Sequence, residues 1–287
     1  MADKKSNSKK GNGRFPKGLL VAVGGNEDKE NDLEILRSIK SLVKKDMVRI
    51  EVITTASELP EETGKKYVKA FKKVGGSSIG LMHITRREQA NDTNLLKRIR
   101  NADIIYFTGG DQLRITSILG GTPLIEEVLR RYEEEQCIIA GTSAGASAMS
   151  ETMIYGGESS EALLKGTLNI TGGIGLIDGV IIDTHFIKRG RFSRLMQIVC
   201  MSPGYVGIGL GEDTGIVIED GHILKAIGNG LIVIIEGKDL RYTNVVDIEN
   251  GEAIAIENLN IHTIVMGHGY DLTEKRYLKP ADMGSLP

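Results

Sequence analysis

The stretch CIIAGTSAGASAM, residues 137–149, decides how the rest of the chain is read. Its apolar run feeds straight into GTSAG, which has the G-x-S-x-G spacing of a serine exposed on a sharp strand-to-helix turn. Such a turn sits at the carboxyl end of a strand, where small neighbours let strand and helix crowd together. In a chain with 36 glycines the pattern alone is weak. The surrounding sequence has to supply a parallel sheet, a base, an acid and an oxyanion site.

The sheet comes first. From Lys17 onward, short apolar runs closed by glycine alternate with amphipathic stretches. GLLVAVGG (18–25), RIEVITTAS, SIGLMHI, DIIYFTGG and CIIAGTSAG read as strands. Between them, NDLEILRSIKSLVKK is a helix with Asn31 or Asp32 at its start, PEETGKKYVKAFKKVG has an early proline and a closing glycine, and REQANDTNLLKRIRNA and TPLIEEVLRRYEEEQ are further helices. This rhythm predicts an α/β fold with a mainly parallel sheet flanked by helices. After about residue 174 the pattern changes: IGLIDGVIIDTHF is strand-like, RFSRLMQIVCM is a helix, and short strands follow Tyr205. EDGH and GNG are hairpin candidates there. These features predict an antiparallel, strand-rich C-terminal extension, with residues 17–287 forming one α/β domain after a basic, disordered tail over 1–16.

Composition narrows the function. A net charge of −2 and an apolar fraction of 40% call for neither nucleic acid nor an anionic membrane as partner. No stretch approaches the roughly 20 apolar residues of a membrane span, and the N-terminus lacks the apolar core of a secretory signal. A cytoplasmic protein is expected. Cys137 and Cys200 lie in apolar contexts and read as core thiols. No metal-ligand spacing is present, so neither metal nor cofactor is expected.

In open parallel sheets reactive groups gather at the carboxyl ends of strands. Ser143 lies at one such end, and a serine nucleophile needs a base and an orienting acid. Of the five histidines, His222 and His268 sit in turns, and His83 and His262 alternate with apolar neighbours on strands. His185 follows the run GVIID and falls at a strand's carboxyl end. The acid candidate is Glu212 in GIGLGEDTGI; adjacent Asp213 satisfies the same spacing. The order Ser, His, acid differs from the Ser, Asp/Glu, His order of the α/β-hydrolases. An oxyanion hole would use the N–H of Ala144, with a second N–H from the TGG corner, that of Gly110, where glycine permits close backbone approach. Arg189, Arg191 and Arg194 suit carboxylates bidentately, and Asp183 offers a partner for a guanidinium. Cations at a helix N-terminus oppose the macrodipole, so an anionic ligand or an acidic partner should hold them.

Taken together, FTGGDQ, GTSAGASAM, MIYGGES, GVIIDTHFIKRGRFSRL and GIGLGEDTGI resemble the serine peptidase family that holds the cyanophycinases and the aspartyl dipeptidases. The resemblance runs from about Gly18 to about Asn250. It implies a flavodoxin-like sheet related to class I glutamine amidotransferases, with serine in place of the cysteine nucleophile. It implies Ser143 as nucleophile, His185 as base and Glu212 as acid. It also implies a homodimeric exopeptidase that releases β-Asp-Arg dipeptides from cyanophycin, a polyaspartate with arginine on each side chain. In the family, Gln112 and the positions of Asp183, Thr184, Arg189, Arg191 and Arg194 line the pocket beside the nucleophile. Thr184 departs from the family's usual glutamine, and Leu163 and Leu164 stand where proline and arginine are common. Two rivals are an Asp-Xaa dipeptidase of the same family and a catalytically silent binding protein on this scaffold.

Overall fold

The computed structural model describes residues 15–157 and 163–283. The first fourteen residues of the basic tail, and Glu158 and Ser159 of MIYGGES, lie outside the described residues. The chain begins with β1 (Leu19–Val23), α1 (Glu34–Ser41), β2 (Arg49–Ile53), α2 (Pro60–Lys73) and β3 (Ser78–Met82). Next come α3 (Thr93–Asn101), β4 (Ile104–Phe107), α4 (Gln112–Leu119), α5 (Pro123–Glu134), β5 (Ile138–Thr142) and α6 (Ala144–Ser147). They are followed by β6 (Thr152–Gly156), β7 (Asn169–Gly172), β8 (Val180–Asp183), α7 (Phe192–Met201) and β9 (Val206–Leu210). Strands follow: β10 (Thr214–Glu219), β11 (Ile223–Gly228), β12 (Ile232–Glu236), β13 (Tyr242–Thr243), β14 (Ile256–Glu257), β15 (Asn260–Ile264), β16 (Gly269–Asp271) and β17 (Arg276–Leu278), with a 3₁₀ turn over Pro280–Asp282 after them.

One nine-stranded sheet runs in the order β17-β16-β11-β10-β1-β5-β4-β2-β3. Its half from β1 to β3 is parallel, and the half beyond β1 is antiparallel. The central parallel strands β1, β4 and β5 are buried on both faces, which is why they read as unbroken apolar runs, while β2 and the edge strand β3 are only partly buried. Alternate residues of β1 divide between two cores. Leu20 and Ala22 pack on one side of the sheet, Val21 and Val23 on the other. Helices cover both sides: Ile35, Leu36 and Ile39 of α1 and Tyr67, Ala70 and Phe71 of α2 face the second core. α2 starts with Pro60 in its first turn, beside Glu61 and Glu62, and ends with Lys72 and Lys73, each favourable to the helix dipole. The α/β fold with helices flanking a parallel core is the expected one.

Three local expectations are corrected. Neither Asn31 nor Asp32 caps α1. The helix starts at Glu34 after Leu33 in the left-handed region, because the Asp28 carboxylate gathers the N–H groups of Glu30, Asn31 and Leu33. REQANDTNLLKRIRNA is broken: a 3₁₀ turn over Arg87–Asn91 precedes α3, and Asp92 caps α3 by accepting from the N–H of Asn94. EDGH does close the β10–β11 hairpin, but GNG does not make one. β11 stays in the large sheet while β12 joins a second sheet, ordered β15-β12-β9-β8. The glycines of GNG serve that crossing. A Cβ on Gly228 (φ +82°) would lie 2.6 Å from the Asp213 carbonyl oxygen, and one on Gly230 1.9 Å from Thr214 Oγ1.

Candidate active site

Four chain ends converge where the two sheets meet. The Ser143 N–H donates to the Val23 carbonyl (2.9 Å), His185 N–H to Gly24 (2.8 Å), Phe186 N–H to Leu210 (3.0 Å) and Asp213 N–H to Gly25 (2.9 Å). Backbone hydrogen bonds therefore fix the ends of β1, β5, β8 and β9 against one another before any side chain is considered. At the end of β5 the chain turns sharply. Ser143 has φ 51° and ψ −113°, a conformation that costs a non-glycine residue about 1–3 kcal/mol and persists only when its surroundings enforce it. The small residues explain the enforcement: a Cβ on Gly145 would lie 2.4 Å from the Phe107 carbonyl oxygen, and one on Gly141 2.7 Å from the Gly145 carbonyl carbon.

Ser143 Oγ lies 2.9 Å from His185 Nε2, and His185 Nδ1 lies 2.7 Å from Glu212 Oε1. An ionised carboxylate only accepts hydrogen bonds, so Nδ1 carries the proton and Nε2 is left to accept from the serine. His185 also has a positive φ, 50°. The other Glu212 oxygen accepts from Lys188 Nζ (3.1 Å) and Asn26 Nδ2 (3.2 Å). Desolvation pushes the Glu212 pKa up; the hydrogen bonds from His185, Lys188 and Asn26 and the Lys188 charge outweigh it and hold the carboxyl below its ordinary value. Asp213, open on spacing, does not meet the imidazole: its Oδ1 accepts the Asp28 N–H at 3.1 Å.

Ala144 is the first residue of α6, so its N–H has no partner within the helix. In the TGG corner, Gly109 faces the nucleophile: a Cβ there would lie 3.2 Å from Ser143 Cβ. Gly110 (φ 142°) abuts the next loop, where a Cβ would come within 2.0 Å of the Ala56 carbonyl oxygen.

The arginine cluster is largely satisfied within the chain. Asp183 is 1% exposed; it accepts Arg194 Nε on Oδ2 (2.6 Å) and Arg194 Nη2 and Arg191 Nη1 (3.0 Å) on Oδ1. Arg191 Nη1 also donates to the Thr184 carbonyl at 2.7 Å, and Arg194 Nη1 to that of Gly157 at 3.2 Å. Asp183, expected to offer a partner for a guanidinium, has both oxygens engaged by guanidinium groups of its own chain, at the start of α7. Arg194 is itself buried, at 5% exposure. Burial lowers the Arg191 pKa, with Asp183 opposing the shift and Arg194 and Arg189 adding to it. Thr184 is buried, Arg189 is at the surface, and Gln112 donates to the Ile154 carbonyl at 3.1 Å. Leu163 N–H donates to Gln197 Oε1 at 3.1 Å, and Leu164 pairs with Ala253.

Sequence reading missed the segment after β1. A Cβ on Gly25 (φ +98°) would lie 2.4 Å from His185 Cε1, so the bare glycine is what admits the imidazole. Glu27 is 2% exposed. Its Oε1 accepts from the hydroxyls of Tyr67 and Tyr106 (2.9 Å for Tyr106), and its Oε2 accepts Thr142 Oγ1 at 2.6 Å. Burial, then the Glu27 charge, pushes both tyrosine pKa values well above ordinary. A cavity of about 920 Å³ opens here, walled by residues 26–31 and α2 and bordered by Gly109, Ser143 and His185.

Among the described residues no cluster of three or more His, Cys, Asp or Glu side chains could hold a metal ion, and no helix is long and apolar enough to cross a membrane. Cys137 and Cys200 are buried free thiols, and burial raises both pKa values.

Comparison with known proteins gives the family. The profile of peptidase family S51 matches residues 19–226. A cyanophycinase from Trichormus variabilis is 33% identical over 262 residues, spanning 91% of this chain and 88% of that protein. One from Thermosynechococcus vestitus is 33% identical over 256 residues, 89% of this chain and 80% of that one. The crystal structure of a peptidase from an acI-B1 Actinobacterium superposes with a TM-score of 0.66 at 19% identity, over 90% of this chain and 98% of that one, a likeness of fold.

Proposed function

The chain belongs to peptidase family S51 and is a peptidase; from that premise we propose that it is a serine-type exopeptidase hydrolysing cyanophycin to β-Asp-Arg dipeptides. The observation that carries the reading is the continuous hydrogen-bonded line from Ser143 Oγ through His185 to Glu212, on a turn whose strain the fold enforces. The polymer enters from the similarity to cyanophycinases.

The steps follow from the protons. Ser143 Oγ attacks an aspartyl peptide carbonyl as His185 Nε2 takes its proton. Glu212, ionised through the neutral range, stabilises the imidazolium and keeps Nδ1 protonated. The tetrahedral oxyanion is met by the N–H of Ala144 and a second N–H of the TGG corner, each donor worth about 10²–10³ in rate. His185 returns the proton to the departing amine, and the C–N bond breaks to leave an acyl-serine. Water, deprotonated by the same imidazole, then releases the acid. Arg189, Arg191, Thr184 and Gln112 are read as the substrate-facing positions. Arg194 and Asp183 hold that wall in place. A homodimer in the cytoplasm, with residues 17–287 working as one unit, completes the reading.

A second reading, an Asp-Xaa dipeptidase, is favoured by two observations: Asp183 is spent on arginines, and Thr184 supplies no amide where the family has glutamine. Incubation with cyanophycin and with Asp-Xaa dipeptides, followed by mass measurement of products, separates the two. Release of β-Asp-Arg from the polymer supports the first reading. Cleavage of dipeptides alone supports the second.

A further inference from the structure

A peptide attacked at Ser143 has chain on both sides of the reacting carbonyl. The arginine cluster supplies one wall, yet Asp183, Thr184, Arg189, Arg191 and Arg194 do not border the 920 Å³ cavity that Ser143 and His185 open into. Among its lining residues is Lys29, a half-buried lysine. Its Nζ donates to the Glu27 carbonyl at 2.8 Å, lies 3.4 Å from Glu27 Oε1 and sits 5.2 Å from the centre of the Tyr67 ring. Its side chain is only 23% exposed.

We propose that this cavity is a second substrate subsite, in which Lys29 receives a carboxylate of the aspartyl peptide on the side of the scissile bond away from the arginine cluster. The inference rests on the peptidase reading above and names where the rest of the chain goes. An ammonium has three protons; the Glu27 carbonyl accepts one, the Glu27 carboxylate stands 3.4 Å away as an ion pair, and donor capacity is left for a ligand in the cavity. Glu27 offsets part of the cation, but it divides its charge among several donors. Its side chain is wholly buried and its charge is turned onto the hydroxyls of Tyr67, Tyr106 and Thr142. Of the other acids on this wall, Asp28 is engaged by backbone N–H groups and Asp213 by the Asp28 N–H, while Glu30 is exposed and is set against Lys66 and Lys69, which line the same cavity. A free surface lysine loses roughly 2 kcal/mol of rotamer entropy when a ligand fixes it. Lys29 is already fixed, so a carboxylate arriving there keeps more of its attraction. Lys69 on the exposed side of α2 lies at the rim of the same cavity and adds positive charge along the path.

The test uses full-length Ser143→Ala protein, which binds without turnover, and calorimetric titration with β-Asp-Arg oligomers of one to four repeats. Adding Lys29→Met keeps the aliphatic stem over Tyr67 and removes the charge; Lys29→Arg keeps the charge, and Lys29→Gln serves if the methionine variant does not fold. A charge-assisted contact predicts a loss of about tenfold or more in affinity with Met or Gln for two or more repeats. Little change is expected for one repeat, and most of the affinity should return with Arg. Equal affinity with and without the charge at every length overturns the subsite while leaving the peptidase reading intact. Equal loss at every length, the single repeat included, overturns it too, by placing Lys29 on the terminal repeat. If the Ser143→Ala parent binds no oligomer at all, the polymer reading fails and the subsite falls with it.

Discussion

Replacing Glu27 by glutamine should damage the protein far more than its place in a charged, polar loop suggests. The carboxylate is buried and accepts three hydroxyls, from Tyr67, Tyr106 and Thr142, besides facing the Lys29 ammonium. A hydrogen bond to a charged group contributes about 1.5–3 kcal/mol and a neutral one about 1 kcal/mol, so each hydroxyl bond weakens by roughly 0.5–2 kcal/mol on neutralisation. Adding the partly exposed Lys29 contact gives a loss of about 3 kcal/mol. For a chain of this length that lowers Tm by roughly 6–12 °C, at about 2–4 °C per kcal/mol. The damage also reaches the nucleophile, since Thr142 immediately precedes Ser143. A displacement of about 1 Å at the reacting oxygen can cost 10²-fold, so kcat should fall between about 10- and 100-fold on the shortest cleavable substrate. Thermal melts and steady-state kinetics read both effects. Tyr106→Phe, which removes one donor, should add less in the Glu27→Gln background than alone, because the two share a bond. A Glu27→Gln variant that melts within 1–2 °C of wild type with unchanged kcat would refute the idea that this carboxylate anchors the turn.

Gly25→Ala should retain the fold and lose most activity, because the added methyl must displace the His185 ring 2.4 Å away; normal kcat with a shifted pH profile would place the imidazole elsewhere. Glu212, depressed below its ordinary 4.5, contributes stability that is fully present above that value and lost only as pH falls through the lower folded one. The Tm difference between wild type and Glu212→Gln should therefore stay constant from pH 8 to 5 and shrink below about pH 4; a difference that vanishes by pH 6 would contradict the shift. Arg194→Ala, which leaves Asp183 buried with half its partners, should cost about 3–5 kcal/mol of stability. Arg189→Ala should leave Tm within 2 °C and raise KM, and the reverse ranking in unfolding and kinetic measurements would exchange their roles.

The legibility of the molecule follows the range of its interactions. The parallel half of the large sheet was readable because strands buried on both faces leave unbroken apolar runs, as in LLVAV and IIAGT. Ser143 and His185 were readable because each ends such a run. Glu212 was readable only beside Asp213, since spacing cannot tell which of two neighbours turns to the imidazole. What escaped depends on contacts distant in sequence. Glu27 lies in NEDKEN, which reads as a solvated turn, and its partners are 40, 79 and 115 residues away. Gly25 is one glycine of many until the His185 ring is seen against it. α4 went unread because QLRITSIL has only Ile115 and Leu119 buried, too short a stripe to stand out. GNG misled because the same glycine chemistry serves a hairpin and a crossing between sheets.

The central claim is that Ser143, activated by His185, is the nucleophile. Treatment with a serine-directed phosphonate, followed by peptide mapping by mass spectrometry, tests it most directly. The account predicts one adduct, on Ser143, absent from Ser143→Ala and formed far more slowly in His185→Ala, with hydrolysis lost in the serine variant by roughly 10⁴–10⁶. An adduct on another residue, or a Ser143→Ala protein within tenfold of wild-type turnover, would contradict it.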